Sequence, residues 1–195
     1  EWDPEAKNYT ALMNKVKKSN PDAILLAGLT EQNGGQLIKD KVSVLGPNDG
    51  EVGLMAPDGF AQQSTIDEAG AASAGMIASV PGRTPELLPG TGKQFVNQLK
   101  SKTGNQPVEL YAPYAGQAAQ VLLDAIDSAG NERGAVASAL YGMKITDGIT
   151  GSFTITDTGD LDVSPITISK AGTEFEPVEV VEPKAKLINA ARGQS

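Results

Sequence analysis

The run Ala23-Ile24-Leu25-Leu26-Ala27 constrains the fold of this chain more than any other feature. It follows a helical pattern of Tyr9, Leu12, Met13 and Val16 that Asn20 and Pro21 bring to a stop, because proline has no N–H and restricts the residue before it. A short apolar run behind such a stop reads as a buried strand. Gly28 to Thr30 form the loop beyond it, and Gln36, Leu37, Ile38, Val42 and Leu45 recur at helical spacing. Gly34 and Gly35 weaken the start of that second helix. A further apolar segment from Val52 to Ala56 ends at the turn sequence Pro57-Asp58-Gly59, after which Ser64 is placed to cap a short helix through Ala69. A third strand is expected from Gly75 to Val80. Strands alternating with helices at this spacing predict an α/β domain whose parallel sheet is covered on both faces, since parallel connections need a crossover and the helix supplies it.

From Pro81 to Pro89 the sequence becomes PGRTPELLP, a linker or crossing loop that cannot continue a central strand. Helical patterns follow at Phe95, Val96 and Leu99, then at Ala115, Ala118, Ala119, Leu122, Ala125 and Ile126, then at Val136, Ala139 and Leu140. The alanine-rich middle one reads as a packing surface rather than a ligand face. The last third turns to β: Phe153 and Ile155 alternate with polar residues, Asp157-Thr158-Gly159-Asp160 is a turn, Ile166 and Ile168 alternate, and Phe175 to Val181 closes an antiparallel hairpin or meander. The basic tail from Lys184 to Arg192 reads as a short helix or a disordered end.

Composition removes whole function classes. Sixteen basic against twenty-four acidic residues give a net charge of −8, which repels a phosphate backbone. Lys15, Lys17 and Lys18 read as the wet side of a helix, so no nucleic-acid partner is expected. The absence of cysteine removes disulfides, thiolate catalysis and cysteine-based zinc sites, and the absence of histidine removes the usual general base and the commonest metal ligand. No apolar run reaches the length of a membrane span, and no signal-peptide pattern opens the chain. It starts at Glu1 rather than methionine, as a processed or truncated product does, and as an arbitrary boundary does.

Ligands of open α/β sheets bind outside the carboxyl ends of the strands, which selects the loops Gly28 to Gln32 and Pro57 to Phe60. Asp58 stands at a strand end between Pro57, which sets the approach, and Gly59, which lets backbone come close. A carboxylate there suits a ligand ammonium; the same three residues are also an ordinary turn. Thr30 offers a hydroxyl either to a ligand or to the following helix as a cap. Gly34-Gly35 lacks both nucleotide-binding glycine patterns. Asp157, Gly159, Asp160 and Asp162 lack the spacing of a calcium loop. Ser64, Ser73, Ser79 and Ser152 have no histidine to activate them, and none sits in a nucleophile elbow. No catalytic residue, metal ligand or cofactor is assigned.

Read in order, NYTALMNKVKKSNPDAILLAG, LMAPDGF, AGMIASVPG, GKQFVNQLKSKTG, YAPYAGQAAQVLLDAIDSAG and GITGSFTITDTGDL resemble the type I periplasmic binding proteins of the leucine/isoleucine/valine-binding family. The likeness runs from Glu5 to Val181. It implies an α/β fold of periplasmic-binding-protein type I, a Rossmann-like parallel sheet flanked by helices, here incomplete and ending in a C-terminal antiparallel hairpin. In that family two lobes close over an amino acid or similar solute, and the acid matching Asp58 holds the ligand's ammonium. The matching place for an aromatic residue over the ligand is Leu29-Thr30, which departs from the family pattern. Leu29, Thr30, Asp58 and Gly59 are therefore the expected ligand-binding residues.

The resemblance also implies crossings between lobes near Ser79 to Pro85 and near Thr146 to Gly151. Residues 1–80 then form a second-lobe α/β segment, 81–147 a helical segment of the first lobe, 148–183 a β segment returning to the second lobe, and 184–195 a tail. Roughly the first 150 residues of a typical member are missing on this reading. The helices from Gly92 to Tyr141 are expected to expose apolar faces, to be met by that missing N-terminal lobe, by another chain, or by a swapped copy. Further expectations are a small-molecule solute, the membrane subunits of an ABC importer, and a periplasmic or extracellular location, with lipid anchoring through the missing N-terminus as one arrangement. A ligand-sensing regulatory domain of the same fold is the first alternative, and an α/β hydrolase or transferase the second.

Overall fold

A computed structural model describes residues 1–184 together with Leu187; most of the expected tail, 184–195, lies outside the described residues. The elements are α1 (Thr10–Lys17), β1 (Ala23–Leu25), α2 (Gly34–Leu45), β2 (Gly53–Ala56), α3 (Gln63–Ala69), β3 (Ile77–Pro81), α4 (Gly90–Lys102), α5 (Ala112–Ala129), α6 (Arg133–Leu140), β4 (Lys144–Gly148), β5 (Gly151–Thr154), β6 (Ile166–Ala171) and β7 (Phe175–Val181). They divide into two compact units, Glu1–Pro81 with Ile166–Val181, and Gly82–Pro165 with residues 182–184.

In the first unit a five-stranded sheet runs in the order β1-β2-β3-β6-β7. The pairs β1–β2 and β2–β3 are parallel, whereas β6 and β7 join antiparallel. Leu54 and Ala56 of β2 point into one cluster with Tyr9 and Met13, with Leu37 and Ile38 of α2, and with Ile66 and Ala69 of α3. All three helices of this unit therefore bury their apolar stripes on one face of the sheet. The expectation of cover on both faces is corrected accordingly. On the other face Leu25, Met55 and Ile77 align in register, and Leu25 is 67% exposed. A period-2 pattern names two faces without saying how many helices reach each.

Gly34 and Gly35 begin α2 because the helix must come close. A Cβ on Gly34 would sit 2.5 Å from Phe60 Cε1, and one on Gly35 would sit 2.5 Å from Glu68 Cβ. The helix propensity lost at two glycines is recovered as packing. Ser64 lies inside α3 and Gln62 takes the position before it, with no side-chain cap. Lys41 is buried, and its ammonium donates to the carbonyls of Gly46, Pro47 and Val52 at 3.1, 3.0 and 2.6 Å, fastening the connection from α2 to β2. Burial pushes its pKa below the usual lysine value, and the charge of Asp49 opposes that shift.

The second unit is built on α5. Pro113 occupies the first turn, where a missing N–H costs nothing. It begins a buried stripe that continues through Gln117, Val121 and Ala125 at intervals of four residues. Leu122, Leu123 and Ile126 lie off that stripe, 47%, 61% and 38% exposed. Among the described residues, the strands β4 and β5 pair only with each other, and they stay with this unit. The second compact unit runs to Pro165. Asp147 and Gly151 adopt positive φ of 54° and 112° and close the hairpin tightly, and Gln117 Oε1 accepts the N–H of Thr150 at 3.3 Å. The Asp157–Gly159 segment is a turn: Gly159 donates to the carbonyl of Thr156 at 2.9 Å, while Asp162 accepts the N–H of Thr154 at 2.7 Å.

Tyr114, one residue into α5 from Pro113, holds the chain where this unit begins. Its phenol accepts the N–H of Arg83 at 2.5 Å and donates to the Arg83 carbonyl at 2.9 Å. Burial is the main cause that raises its pKa above the ordinary value; the neighbouring Arg83 opposes it. A folded-state value above the unfolded one gives a contribution complete below about pH 10 and lost as pH rises through the folded value. Tyr114→Phe is expected to cost about 1–2 kcal/mol at neutral pH, from the loss of a bond at each of two backbone groups. Urea denaturation should show that gap from the wild type narrowing as pH rises from about 10 through the raised phenol value.

Candidate functional site

The carboxyl ends of the parallel strands β1 and β2 carry the two loops singled out above, and a dense set of bonds ties them together. The Thr30 N–H and Oγ1 both donate to the carbonyl of Gly59, each at 3.1 Å. Thr30 Oγ1 also shares a hydrogen bond with Thr65 Oγ1 of α3. Gln62 reaches across with its Nε2, donating to Glu31 Oε1 at 3.0 Å.

This places the four expected residues in different roles. Thr30 is 1% exposed, and its hydroxyl fastens the two loops through its bonds to Gly59 and Thr65. It does not cap α2 through its side chain; Asn33 stands before that helix, and the Thr30 carbonyl accepts the Gly34 N–H at 2.8 Å. Leu29 is 48% exposed, and its N–H donates to Gln32 Oε1 at 3.2 Å. Gly59 lies where the loops touch: a Cβ there would meet Leu29 Cδ2 at 2.4 Å and the Gly28 carbonyl at 3.0 Å. Asp58 is half-buried and opens a single 3-10 turn through Phe60.

Phe60 holds that turn in place. Its side chain is fully buried under Gly34, and its N–H donates to the Pro57 carbonyl at 3.0 Å, while Ala61 donates to the Asp58 carbonyl at 2.9 Å. Asp58 is thus carried on a backbone anchored from below by an aromatic ring and from the side by Thr30. The pKa of Glu31 is held below the usual carboxylate range, first by its own backbone N–H and then by the Gln62 amide. The paired loops therefore carry two acidic side chains, a setting that favours a cationic group and disfavours an anion.

Local sequence reading missed Phe60, Thr65 and Gln62. An aromatic residue directly after a Pro-Asp-Gly turn is a signal for an anchored turn, whereas Thr65 lies thirty-five positions from Thr30 and gives no local sign of the contact.

Residues 2–171 match the family model of the periplasmic binding proteins. The chain belongs to the periplasmic binding protein family. The family's members are non-enzymatic ligand carriers. Solved structures agree in fold. The leucine-binding protein LivK of Thermotoga maritima superposes with a TM-score of 0.76 at 23% identity, covering 92% of this chain and 50% of that one. The branched-chain amino acid transporter substrate-binding protein LivJ of Streptococcus pneumoniae, solved with isoleucine, gives 0.73 at 20% identity over the same shares. A solute-binding protein of an ABC transporter from R. palustris, solved with 4-hydroxybenzoate, gives 0.71 at 16% identity, covering 95% of this chain and 52% of that one. The periplasmic binding protein chain described here spans about half the length of these relatives. No curated protein matches it.

Proposed function

We propose that this periplasmic binding protein chain supplies one wall of a solute receptor of an ABC importer, and that its solute carries an amine, as a branched-chain amino acid does. The observation that carries this reading is Asp58, half-buried at the carboxyl end of β2 on a turn anchored by Phe60 and tied to the neighbouring loop through Thr30 and Gly59. Such a carboxylate is poised to form a charge-assisted bond with an ammonium without reorganising. Leu29 adds an exposed apolar side chain on the adjoining loop for an aliphatic or aromatic portion of the solute.

Capture works by closure of a second lobe over these loops, with binding energy stabilising the closed state that the importer's membrane subunits recognise. That lobe, or another chain, covers the row of Leu25, Met55 and Ile77 and the exposed side of α5 at Leu122, Leu123 and Ile126. The receptor works in the periplasm or at the cell exterior. Relatives solved with aromatic acids, such as the one holding 4-hydroxybenzoate, suggest a second reading in which the solute is an anion without an amine. Glu31, on the loop tied to that of Asp58 through Thr30 and Gly59, speaks against it, because two carboxylates repel a solute that has no positive group. Titration calorimetry of the full gene product and its Asp58→Ala variant with leucine tests the proposal: affinity should fall in the variant, and equal affinities would refute it.

A further inference from the structure

The segment ahead of α1 has no part in the function just proposed, yet it is built onto the loop that follows β1. Trp2 is half-buried, and its indole lies against Gly28 so closely that a Cβ on that glycine would sit 2.4 Å from Cη2 and 2.7 Å from Cζ2. Its Nε1–H donates to the Gln32 carbonyl at 2.8 Å. Asn33, held at a left-handed φ of 62°, donates its Nδ2 to the Ala6 carbonyl at 2.8 Å. The segment is itself stiffened: the buried Tyr9 donates its hydroxyl to the Asp3 carbonyl at 2.8 Å, Ala6 donates to the same carbonyl at 3.0 Å, and the Tyr9 N–H is taken by Asp40 of α2.

Both ends of the loop are thus gripped, Gly28 and Gln32 by Trp2 and Asn33 by Ala6. Between them stand Leu29, exposed, and Thr30, bonded to Gly59 beside Asp58. A loop carried on a strand end has few buried contacts of its own and opens locally unless something outside it supplies them. An indole is suited to this, since it joins a large rigid apolar surface to one directed donor.

We infer that Trp2 is a positioning residue, which braces the loop Gly28–Asn33 and through Thr30 and Gly59 sets the placement of Asp58. The inference rests on the reading of these loops as solute-facing, and it adds that their geometry is imposed by a segment that touches no solute.

Hydrogen exchange on the 195-residue chain tests this without requiring a solute. In Trp2→Ala the amides of Leu29, Thr30 and Gln32 should exchange about tenfold or more faster, while those of Leu54 to Ala56 keep their wild-type rates. Trp2→Phe keeps a ring on Gly28 and loses only the donor, so it should restore part of the protection. Gly28→Ala, which drives a methyl into the indole, should reproduce the loop effect with Trp2 present. Unchanged loop exchange in Trp2→Ala, or acceleration spread equally over the loop and β2, overturns the inference. Calorimetry of the full gene product with leucine and with 4-hydroxybenzoate is read separately. Binding of neither, with loop-limited exchange intact, leaves the bracing role standing and counts against the solute-facing reading alone.

Discussion

Asp58→Ala is expected to weaken binding of leucine to the full gene product by about 10- to 100-fold. Removing one charge-assisted hydrogen bond costs about 1.5–3 kcal/mol, and each 1.4 kcal/mol is a factor of ten in Kd. The turn through Phe60 keeps its backbone bonds from Phe60 to Pro57 and from Ala61 to Asp58 with an alanine at position 58. Asp58→Asn should fall between, because the amide accepts a hydrogen bond without the charge. Calorimetry gives the affinities and urea denaturation the stabilities. Loss of both together would mean that Asp58 serves the turn rather than a solute.

Phe60→Ala should show the opposite signature, with stability falling first. The ring is fully buried in the cluster that joins β2, α2 and α3, and it fills the space that Gly34 leaves open. Deleting a buried aromatic side chain costs about 3–5 kcal/mol, the lost transfer energy being joined by a cavity that the surroundings fill only in part. Phe60→Leu retains most of the volume and should cost a good deal less. The first unit should therefore unfold at clearly lower urea in Phe60→Ala. A shift below about 1 kcal/mol would show that the loop closes over the gap, and that its anchor lies elsewhere.

The strands and most helices of the first unit were legible because their apolar residues repeat at the period of the element. The segment from Val52 to Ala56 contains β2, and the run from Ala23 contains β1. Cover was not legible. The alternation of Leu54 and Ala56 with Met55 names two faces, but only the packed structure shows α1, α2 and α3 gathered on one. Gly34 and Gly35 read as helix weakness, and their reason lies in Phe60 and Glu68, distant in sequence. The strand-end rule selected two loops that the structure ties together through Thr30 and Gly59. It gave no sign that the Thr30 hydroxyl fastens the loops, because its partners Gly59 and Thr65 are distant in sequence. Trp2 escaped for the same reason, its contacts with Gly28 and Gln32 being set by how the segment folds back.

Whether an amine meets Asp58 is tested most directly by calorimetry of the full gene product with leucine and with its α-keto acid, in which an oxo group replaces the amine. Leucine should bind and the keto acid should bind about 10-fold or more weaker. Equal binding of the two, or tight binding of 4-hydroxybenzoate with none of leucine, would contradict it.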